Sequence, residues 1–238
     1  MNHSSSLNNK IALITGASRG IGAAVAKRFA QEGAHVILVA RTIGGLEAMD
    51  DEITAAGGKS TLVALDLADH DKIDSLGAMI AERFGRLDVL VGNAAVLGDL
   101  TPLAHADAKM WNQVMAVNVT ANWRLIRSFD PLLRASDAGR AMFVTSGVTE
   151  RAEPKPYWGP YAVSKAALEV MVETYAAEVA QTKVRVNLVD PGVVRTAMRA
   201  SAMPGEDASR LPLPESITDV FVKLALSEYE NNGQKLVA

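Results

Sequence analysis

The segment best suited to chemistry is Tyr161-Ala162-Val163-Ser164-Lys165, in which a tyrosine and a lysine stand four positions apart. On a helix, this spacing puts the two side chains on one face. A phenol has a pKa of about 10, and a neighbouring ammonium group favours the phenolate and lowers that pKa. The pair therefore has the composition of a general acid and base, although a tyrosine and a lysine on an exposed helix face are usually structural.

Two further polar residues stand where a site beside this helix would need them. Ser146 lies at the end of residues 140–147, which predict the fifth strand, and precedes Tyr161 by fifteen residues. Open α/β sheets bind ligands at the carboxyl ends of their strands. Asn118 lies in an apolar helical stretch, residues 111–135, where an amide costs stability unless it is hydrogen-bonded. Asn118 is therefore a structural hydrogen-bonding residue, a part of the site, or both.

A glycine-rich turn belongs to the first strand-to-helix unit of the chain. The apolar run of residues 11–14 predicts a buried strand, and residues 23–32 predict a helix. Between them stand Gly16, Gly20 and Gly22, whose missing Cβ atoms let a phosphate approach the N–H groups of the helix's first turn. Because the spacing G-x-x-x-G-x-G differs from the usual G-x-G-x-x-G fingerprint, a plain tight turn stays open as the alternative.

Two arginines stand where the ribose of a nucleotide is expected. Residues 35–40 predict the second strand, and Arg41 follows it directly. Enzymes that bind NAD commonly place an acidic residue there for the ribose 2′-hydroxyl, whereas an arginine suits the additional phosphate of NADP. Arg19, inside the glycine turn, is a second candidate for that phosphate. The alternative is that both arginines are solvated surface residues.

Other candidate positions follow the later strands. Asp66 and Leu67 come after the predicted third strand, where Asp66 can equally cap the next helix. Asn93 and Ala94 follow the fourth strand, where small residues let a ribose lie close to the backbone. A Pro-Gly turn follows the sixth strand, and its candidates are Pro191, Gly192, Val194 and Thr196.

In this order and spacing, the motifs resemble those of the classical short-chain dehydrogenase/reductase family. The resemblance is carried by the glycine turn, Asp66, Asn93, Ala94, Asn118, Ser146, Tyr161, Lys165, Pro191, Gly192 and Thr196. Two residues, Gly92 and Ala95, depart from the family's Asn-Asn-Ala-Gly. The gap between Ser146 and Tyr161 is also slightly longer than is common in the family.

The resemblance implies an oxidoreductase that transfers a hydride between a nicotinamide and a carbonyl or alcohol. Tyr161 would be the general acid and base, with Ser146 on the substrate oxygen. Lys165 would hold the ribose and lower the tyrosine pKa, and Asn118 would position a water that relays protons to Lys165. One alternative is a catalytically idle NADP-binding sensor or interaction protein on the same fold. Another is a dehydratase or epimerase of the related extended family.

The expected cofactor is NADP(H), because arginines rather than an acid stand at the 2′ position. By the resemblance, Asp66 would accept a hydrogen bond from the adenine amino group, and Val194 and Thr196 would bind the nicotinamide carboxamide. The full set of expected cofactor-binding residues is Gly16, Ser18, Arg19, Gly20, Ile21, Gly22, Arg41, Asp66, Leu67, Asn93, Ala94, Tyr161, Lys165, Pro191, Gly192, Val194 and Thr196.

Composition narrows the class of protein. With 238 residues, 49% of them hydrophobic, the chain is expected to form one domain, residues 1–238. The pattern predicts an α/β fold with a doubly wound, Rossmann-like parallel sheet of about seven strands and helices on both faces. The net charge of −3 argues against nucleic acid or an anionic membrane as a partner. The absence of cysteine excludes disulfides, thiolate catalysis and sulfur-ligated zinc, and no metal site is expected.

Three expectations concern the surroundings of the protein. No apolar run is long enough to span a bilayer and the start, residues 1–9, is polar, so a cytoplasmic location is expected. Apolar residues lie on more than one face of the helices predicted at 111–135 and 161–181, which favours a homodimer or homotetramer. Residues 197–214, rich in proline and methionine, are expected to form a loop that could cover a small-molecule substrate.

Overall fold

The computed structural model describes residues 6–238, which form one sheet of seven parallel strands with the order β3-β2-β1-β4-β5-β6-β7. Buried, largely β-branched and aliphatic runs form the central strands, as expected for a parallel sheet covered on both faces. The strands are β1 (Ile11–Thr15), β2 (His35–Ala40), β3 (Lys59–Ala64), β4 (Val89–Gly92), β5 (Arg140–Val144), β6 (Arg185–Asp190) and β7 (Lys235–Val237).

Eight α-helices connect these strands within the described residues. They are α1 (Gly20–Gln31), α2 (Ile43–Ala55), α3 (His70–Phe84), α4 (Ala108–Met115), α5 (Ala121–Ala135), α6 (Gly159–Glu178), α7 (Ala197–Ala202) and α8 (Thr218–Ala225). One turn of π-helix, Ala116–Thr120, joins α4 to α5. The helices that follow β1 and β3 end at glycines with positive φ, Gly33 at 89° and Gly85 at 71°.

The core lies in two layers, one on each face of the sheet. Helices α1, α2 and α8 cover one face, where Phe29 and Phe221 are fully buried. Helices α3, α5 and α6 cover the other face, where Phe129 is fully buried. Successive residues of a strand alternate between the layers, so Leu13 packs on the second face and Ile14 on the first. The predicted fold, a doubly wound parallel sheet with helices on both faces, is confirmed.

The strand order reverses between β1 and β4: after β1 the chain adds β2 and β3 on one side of the sheet, and after β4 it adds β5, β6 and β7 on the other side. Ligands of open α/β sheets bind in the crevice at the carboxyl ends of the strands beside such a reversal. The glycine turn that follows β1 and the loop that follows β4 form the two walls of this crevice. The topology therefore brings together the two segments in which the sequence predicts a nucleotide site.

The main difference from the sequence prediction lies in residues 197–214, which the sequence predicts to be a loop. The segment begins with the short helix α7, because the hydroxyl of Thr196 accepts a hydrogen bond from Arg199 N at 3.1 Å and caps the helix. Arg199 then forms a two-point ion pair with Glu206, both N–O distances being 2.6 Å. The proline-rich remainder is irregular apart from short 3₁₀ turns.

The ends of the chain and its surface complete the comparison. The first five residues of the polar start, residues 1–9, lie outside the described residues. Along residues 6–238, none of the helices combines the length and the apolar character that a membrane span requires. Within the helix predicted at 161–181, Val170 is exposed, whereas Val179 is fully buried in the core.

Candidate active site

Tyr161 lies in the first turn of α6 with its side chain directed into the protein, 7% exposed. Burial raises the pKa of Tyr161 to about 12, a hydrogen bond with the Ser146 hydroxyl opposes this rise, and the negative charge of Asp190 adds to it. The sequence predicts a lowered tyrosine pKa, and this direction is wrong because the cost of burying a phenolate outweighs the other effects. The phenol therefore carries its proton at neutral pH.

Lys165 lies one helical turn further along α6, on the same face as Tyr161. Its side chain is 2% exposed, and its Nζ donates a hydrogen bond to Val144 O, at the end of β5, at 2.7 Å. Nζ lies 5.7 Å from the centroid of the Tyr161 ring. Burial lowers the pKa of Lys165 to about 8, and the negative charge of Glu169 opposes that shift. The structure thus brings together Ser146, Tyr161 and Lys165, as the spacing predicts.

Asn118 is fully buried in the π-helical turn and acts as a clamp between two elements. Its Oδ1 accepts a hydrogen bond from Val96 N and its Nδ2 donates one to Val96 O, both at 2.9 Å. The second Nδ2 proton goes to the Ser164 hydroxyl on α6 at 3.0 Å. Because every polar atom of the side chain has a partner, Asn118 fixes the loop after β4 against α6, which is the structural reading of this residue.

Thr15, at the end of β1, holds the two walls of the crevice together. Its hydroxyl donates to Val91 O at 3.2 Å and accepts hydrogen bonds from the N–H groups of Asn93 at 2.9 Å and Ala94 at 3.1 Å. The side chain of Asn93 returns a hydrogen bond to Thr15 O at 2.8 Å. The sequence suggests Asn93 and Ala94 as site residues but does not show that Thr15 positions them.

The glycine turn has an open backbone and little room for side chains; it is called the glycine cradle below. Gly16 and Gly20 have φ values of 68° and 58°, a region that favours glycine. A Cβ atom on Gly22 would overlap the carbonyl oxygen of Gly16 and would lie 2.5 Å from Asn93 Nδ2. The methyl group of Thr196 lies 3.5 Å from the position that a Cβ of Gly20 would occupy. The turn and the segment after β6 therefore face each other across a cleft whose open backbone suits a dinucleotide's phosphates.

The two arginines predicted at the 2′ position both lie on the surface beside this cleft. Arg19 and Arg41 are exposed, and neither forms an ion pair with any residue in the part of the chain that the structure describes. Ser18 packs against the first turn of α2, its Cβ lying 3.0 Å from the position of a Cβ on Gly45. The guanidinium groups are thus free to approach an anion bound at the glycine turn.

The remaining predicted residues take different positions around the cleft. Asp66 is exposed, and its Oδ1 accepts a hydrogen bond from Ala68 N at 2.9 Å, while α3 is preceded by Asp69 as its N-cap residue. The side chain of Leu67 is buried in the second core layer. In the segment after β6, Gly192 has a φ of 63° and Val194 is buried.

Gly92 and Ala95, the two departures from the family pattern, have ordinary structural explanations. A Cβ on Gly92 would overlap the ring of Phe143 and would lie 2.7 Å from Asn122 Oδ1, so a larger residue cannot occupy this position beside Phe143. Ala95 keeps a negative φ, because the positive φ in this loop occurs at Gly98, with a value of 72°. The loop therefore needs no glycine at position 95.

Two loops form the mouth of the site in front of Tyr161. Thr101 N donates to Tyr157 O at 3.1 Å, which ties the loop after β4 to the long segment between Ser146 and α6. Tyr157 has a φ of 73°, a strained conformation for a residue with a side chain. The ring of the next residue, Trp158, lies 6.0 Å from the ring of Tyr161. The longer gap thus places the ring of Trp158 next to the candidate acid.

A network behind Lys165, centred on the half-buried Glu169, was not predicted from the sequence. Glu169, one turn beyond Lys165 on α6, has an Oε1 that accepts hydrogen bonds from the hydroxyls of Thr145 at 2.6 Å and Thr149 at 2.8 Å. Lys235 on β7 forms an ion pair with the same oxygen at 2.8 Å. Thr145 and Thr149 lie on either side of Ser146 in residues 145–149, the serine loop. Glu169 therefore links the serine loop to α6, the helix that carries Lys165. The only sequence signal for this link is the four-residue spacing of Lys165 and Glu169.

Comparisons with known proteins agree with this arrangement. The family model described as short chain dehydrogenase matches residues 10–207. The oxidoreductase YciK of Escherichia coli K12 is 38% identical over 221 residues, which are 92% of this chain and 86% of that protein. Dehydrogenase/reductase SDR family member 4 of Bos taurus is 33% identical over 90% of this chain and 75% of its own length. A short chain dehydrogenase from Escherichia coli CFT073, solved in complex with NADPH, superposes with a TM-score of 0.93, 37% identity and coverage of 98% of both chains.

Proposed function

This chain belongs to the short-chain dehydrogenase family and is an oxidoreductase, and we propose that it transfers a hydride between NADP(H) and a carbonyl or alcohol substrate, with Tyr161 as general acid and base. The group of half-buried Ser146 with buried Tyr161 and Lys165, beside the glycine cradle, carries this proposal. A sensor that only binds the nucleotide has no need of a buried, hydrogen-bonded tyrosine.

In this proposal the cofactor lies along the crevice at the carboxyl ends of β1 and β4. When bound, NADPH supplies the hydride and NADP⁺ accepts it. The backbone of Gly16, Gly20 and Gly22 would receive the pyrophosphate, with the 2′-phosphate between Arg19 and Arg41. The other residues proposed to bind the cofactor are Ser18, Ile21, Asp66, Leu67, Asn93, Ala94, Pro191, Gly192, Val194 and Thr196. The NADPH complex of the Escherichia coli CFT073 relative supports the choice of NADP(H).

The protein's own residues would move the proton. In reduction, the phenol of Tyr161, which is protonated at neutral pH, donates its proton to the carbonyl oxygen. The Ser146 hydroxyl donates a hydrogen bond to the same oxygen and stabilises its developing negative charge. Lys165 holds the ribose and, with a pKa of about 8, can return a proton to Tyr161 near neutral pH. Asn118 would position a water on the path of protons to Lys165 through its backbone, because its side-chain atoms are all hydrogen-bonded to Val96 and Ser164.

A spectroscopic experiment tests this proposal. Purified protein is mixed with NADPH and a panel of aldehydes and ketones, and the loss of absorbance at the reduced nicotinamide band is followed. The same panel is measured with NADH, and alcohols are tested with NADP⁺. We expect turnover with NADPH. Binding of NADPH without turnover of any substrate in either direction would favour the catalytically idle alternative.

We further propose that the protein forms a homodimer or homotetramer. Trp123 on α5 is 45% exposed and Val170 on α6 is 58% exposed. Association of two chains would bury these apolar side chains in an interface. Light scattering at micromolar concentration is expected to give a mass above that of one chain, and Val170→Lys is expected to lower it. A monomeric mass for the unmodified protein would contradict this proposal.

A further inference from the structure

Asp190 is a buried carboxylate beside the catalytic group that the proposed reaction does not use. It is the last residue of β6 and only 7% exposed. Thr145 N donates to Val189 O at 2.8 Å, so the ends of β5 and β6 lie side by side. A Cβ on Gly147 would lie 3.4 Å from Asp190 Oδ2. The carboxylate therefore lies against the residue that directly follows Ser146.

The direction of the side chain follows from the alternation of β6. Val189 packs in the layer of α1 and α8, whereas Leu188 packs in the layer of α5 and α6. Asp190, two positions after Leu188, shares the face of Leu188. This is the face on which α6 carries Tyr161, and the charge of Asp190 acts on the Tyr161 phenol.

The two oxygens of Asp190 have different surroundings. Oδ1 accepts a hydrogen bond from Gly192 N at 3.0 Å. Pro191 has no N–H to offer, so Gly192 supplies the first backbone donor after Asp190. Oδ2 accepts no hydrogen bond from any residue of 6–238, the part of the chain that the structure describes. One oxygen thus fixes the turn, while the other faces the space beside Ser146 and Tyr161.

Asp190 Oδ2 is not sealed off from solvent, so a donor from outside the protein can reach it. A buried anion loses hydration that a hydrogen-bond donor must replace. Its charge also opposes the phenolate that Tyr161 must become during the reaction. A repulsion of this kind at the reacting group, next to a carboxylate oxygen that has no donor among residues 6–238, is characteristic of functional sites.

We propose that Asp190 Oδ2 binds a hydrogen-bond donor of the substrate, so that the substrates are carbonyl compounds and alcohols carrying a hydroxyl or a protonated amine close to the reacting carbon. The inference rests on the proposed function, because Asp190 orients the molecule that Tyr161 protonates. A donor bound at Oδ2 satisfies the carboxylate, and a protonated amine also neutralises its charge. Asp190 is then a substrate-binding residue that sets specificity.

Matched ketones test this assignment. Phenacyl alcohol and propiophenone differ by a hydroxyl in place of a methyl group, α-methoxyacetophenone keeps the oxygen without the proton, and α-dimethylaminoacetophenone carries an ammonium donor. For each, kcat/KM with NADPH is measured for the unmodified protein, Asp190→Asn and Asp190→Ala. Affinities for the protein loaded with NADP⁺ are measured by calorimetry. Glu82→Gln, on the exposed surface of α3, removes the same charge elsewhere and is the control.

The unmodified protein is expected to favour the two donor ketones over propiophenone and the methoxy ketone by about ten- to a hundredfold, the range of a hydrogen bond to a charged group. Asp190→Ala should abolish both preferences. Asp190→Asn should abolish the preference for the ammonium and keep part of that for the hydroxyl, which distinguishes the two donors. Glu82→Gln should keep both preferences.

Other outcomes separate this inference from the function on which it rests. Two results would overturn the role of Asp190 and leave the NADPH-dependent reaction standing. One is equal kcat/KM for donor and non-donor ketones, and the other is the same ratio of these values in Asp190→Ala as in the unmodified protein. Reduction of none of them would count against the proposed function. The calorimetric comparison then still decides the role of Asp190, because equal affinities for donor and non-donor ligands would exclude it.

Discussion

The two sides of the crevice use polar groups in different ways. On the phosphate side, residues 11–64, the backbone of the glycine turn is open and the predicted side-chain contacts, Arg19 and Arg41, are exposed. On the catalytic side, residues 89–190 together with β7, Asn118 and Lys165 are buried and hydrogen-bonded to backbone atoms of other elements. The phosphate side depends on the absence of Cβ atoms from its glycines. The catalytic side depends on hydrogen bonds between residues that are far apart in sequence.

This difference predicts how each side responds to mutation. On the phosphate side, added bulk or altered charge acts directly on an anion at the surface, so affinity and cofactor choice should change more than the chemical step. On the catalytic side, the reacting groups are held by buried partners, so the rate should change even when the altered atom does not touch substrate.

Removing the phenolic oxygen should have the largest effect. Tyr161→Phe keeps the ring beside Trp158 and removes the proposed acid, so kcat should fall by about 10²–10⁴, the usual contribution of general acid–base catalysis. NADPH affinity, measured by fluorescence, and the thermal unfolding midpoint should stay close to those of the unmodified protein. Turnover close to normal would show that Tyr161 is not the acid.

Adding a single methyl group on the phosphate side comes next. In Gly22→Ala, the new Cβ overlaps Gly16 O, so the free energy of unfolding should fall by about 1–3 kcal/mol and NADPH affinity should fall with it. Gly44→Ala is the matched control, because a Cβ on Gly44 meets no atom within 4 Å and alanine favours the helix. Denaturant unfolding and NADPH titration measure both variants. Equal behaviour of the two would show that the cradle tolerates side chains.

The same contrast explains how much of the molecule could be predicted from its sequence. The fold and the cradle follow from local patterns, namely apolar runs, glycine spacing and Tyr161 four residues before Lys165. The partners of the catalytic side do not, because Val96 meets Asn118, and Lys235 meets Glu169, only after separate strands are assembled. Such pairs leave no periodic signal in a single sequence.

Two errors of prediction have similar physical causes. The pKa of Tyr161 depends on how completely the phenol is buried. That burial is a property of the folded site and not of the Tyr161–Lys165 spacing. Helix α7 is not predicted because Pro204, Pro212 and Pro214 are typical of a loop, whereas the helix itself, Ala197–Ala202, contains no proline and depends on a cap from Thr196. Packing sets the pKa of Tyr161 and capping allows α7 to form, and neither effect can be read from the local composition.

Charge at the end of β2 should control cofactor choice. In Arg41→Asp, the carboxylate repels the 2′-phosphate and can accept a hydrogen bond from a ribose hydroxyl, so the ratio of NADPH to NADH affinity should fall by about ten- to a hundredfold. Lys59→Asp makes the same charge change at the exposed amino end of β3, away from the crevice, and is the control. A protein that binds NADH more tightly than NADPH, or an unchanged ratio in Arg41→Asp, would contradict the assignment of the 2′ pocket.

The smallest effect is expected at Glu169, which acts on the reaction through Lys165 and the serine loop. The anion raises the pKa of Lys165 against the effect of burial, so Glu169→Gln should lower that pKa further below its value of about 8. Lys165 then loses its proton at a lower pH, and the alkaline limb of the pH profile of kcat should move towards neutral pH. The weakened hold on Thr145 and Thr149 should reduce kcat by about two- to tenfold.

Variants with opposite expected signs separate this effect from simple loss of packing. Lys235→Gln removes the cation that partly neutralises Glu169, so the pKa of Lys165 should rise and the alkaline limb should move to higher pH. Glu173→Gln makes the charge change of Glu169→Gln one turn further along α6, at an exposed position, and should leave the profile in place. If Glu169→Gln and Lys235→Gln shifted the limb in the same direction, the network would be only structural. Opposite shifts would show that a residue on the last strand tunes the proton transfer at Lys165, the long-range coupling that distinguishes the catalytic side from the phosphate side.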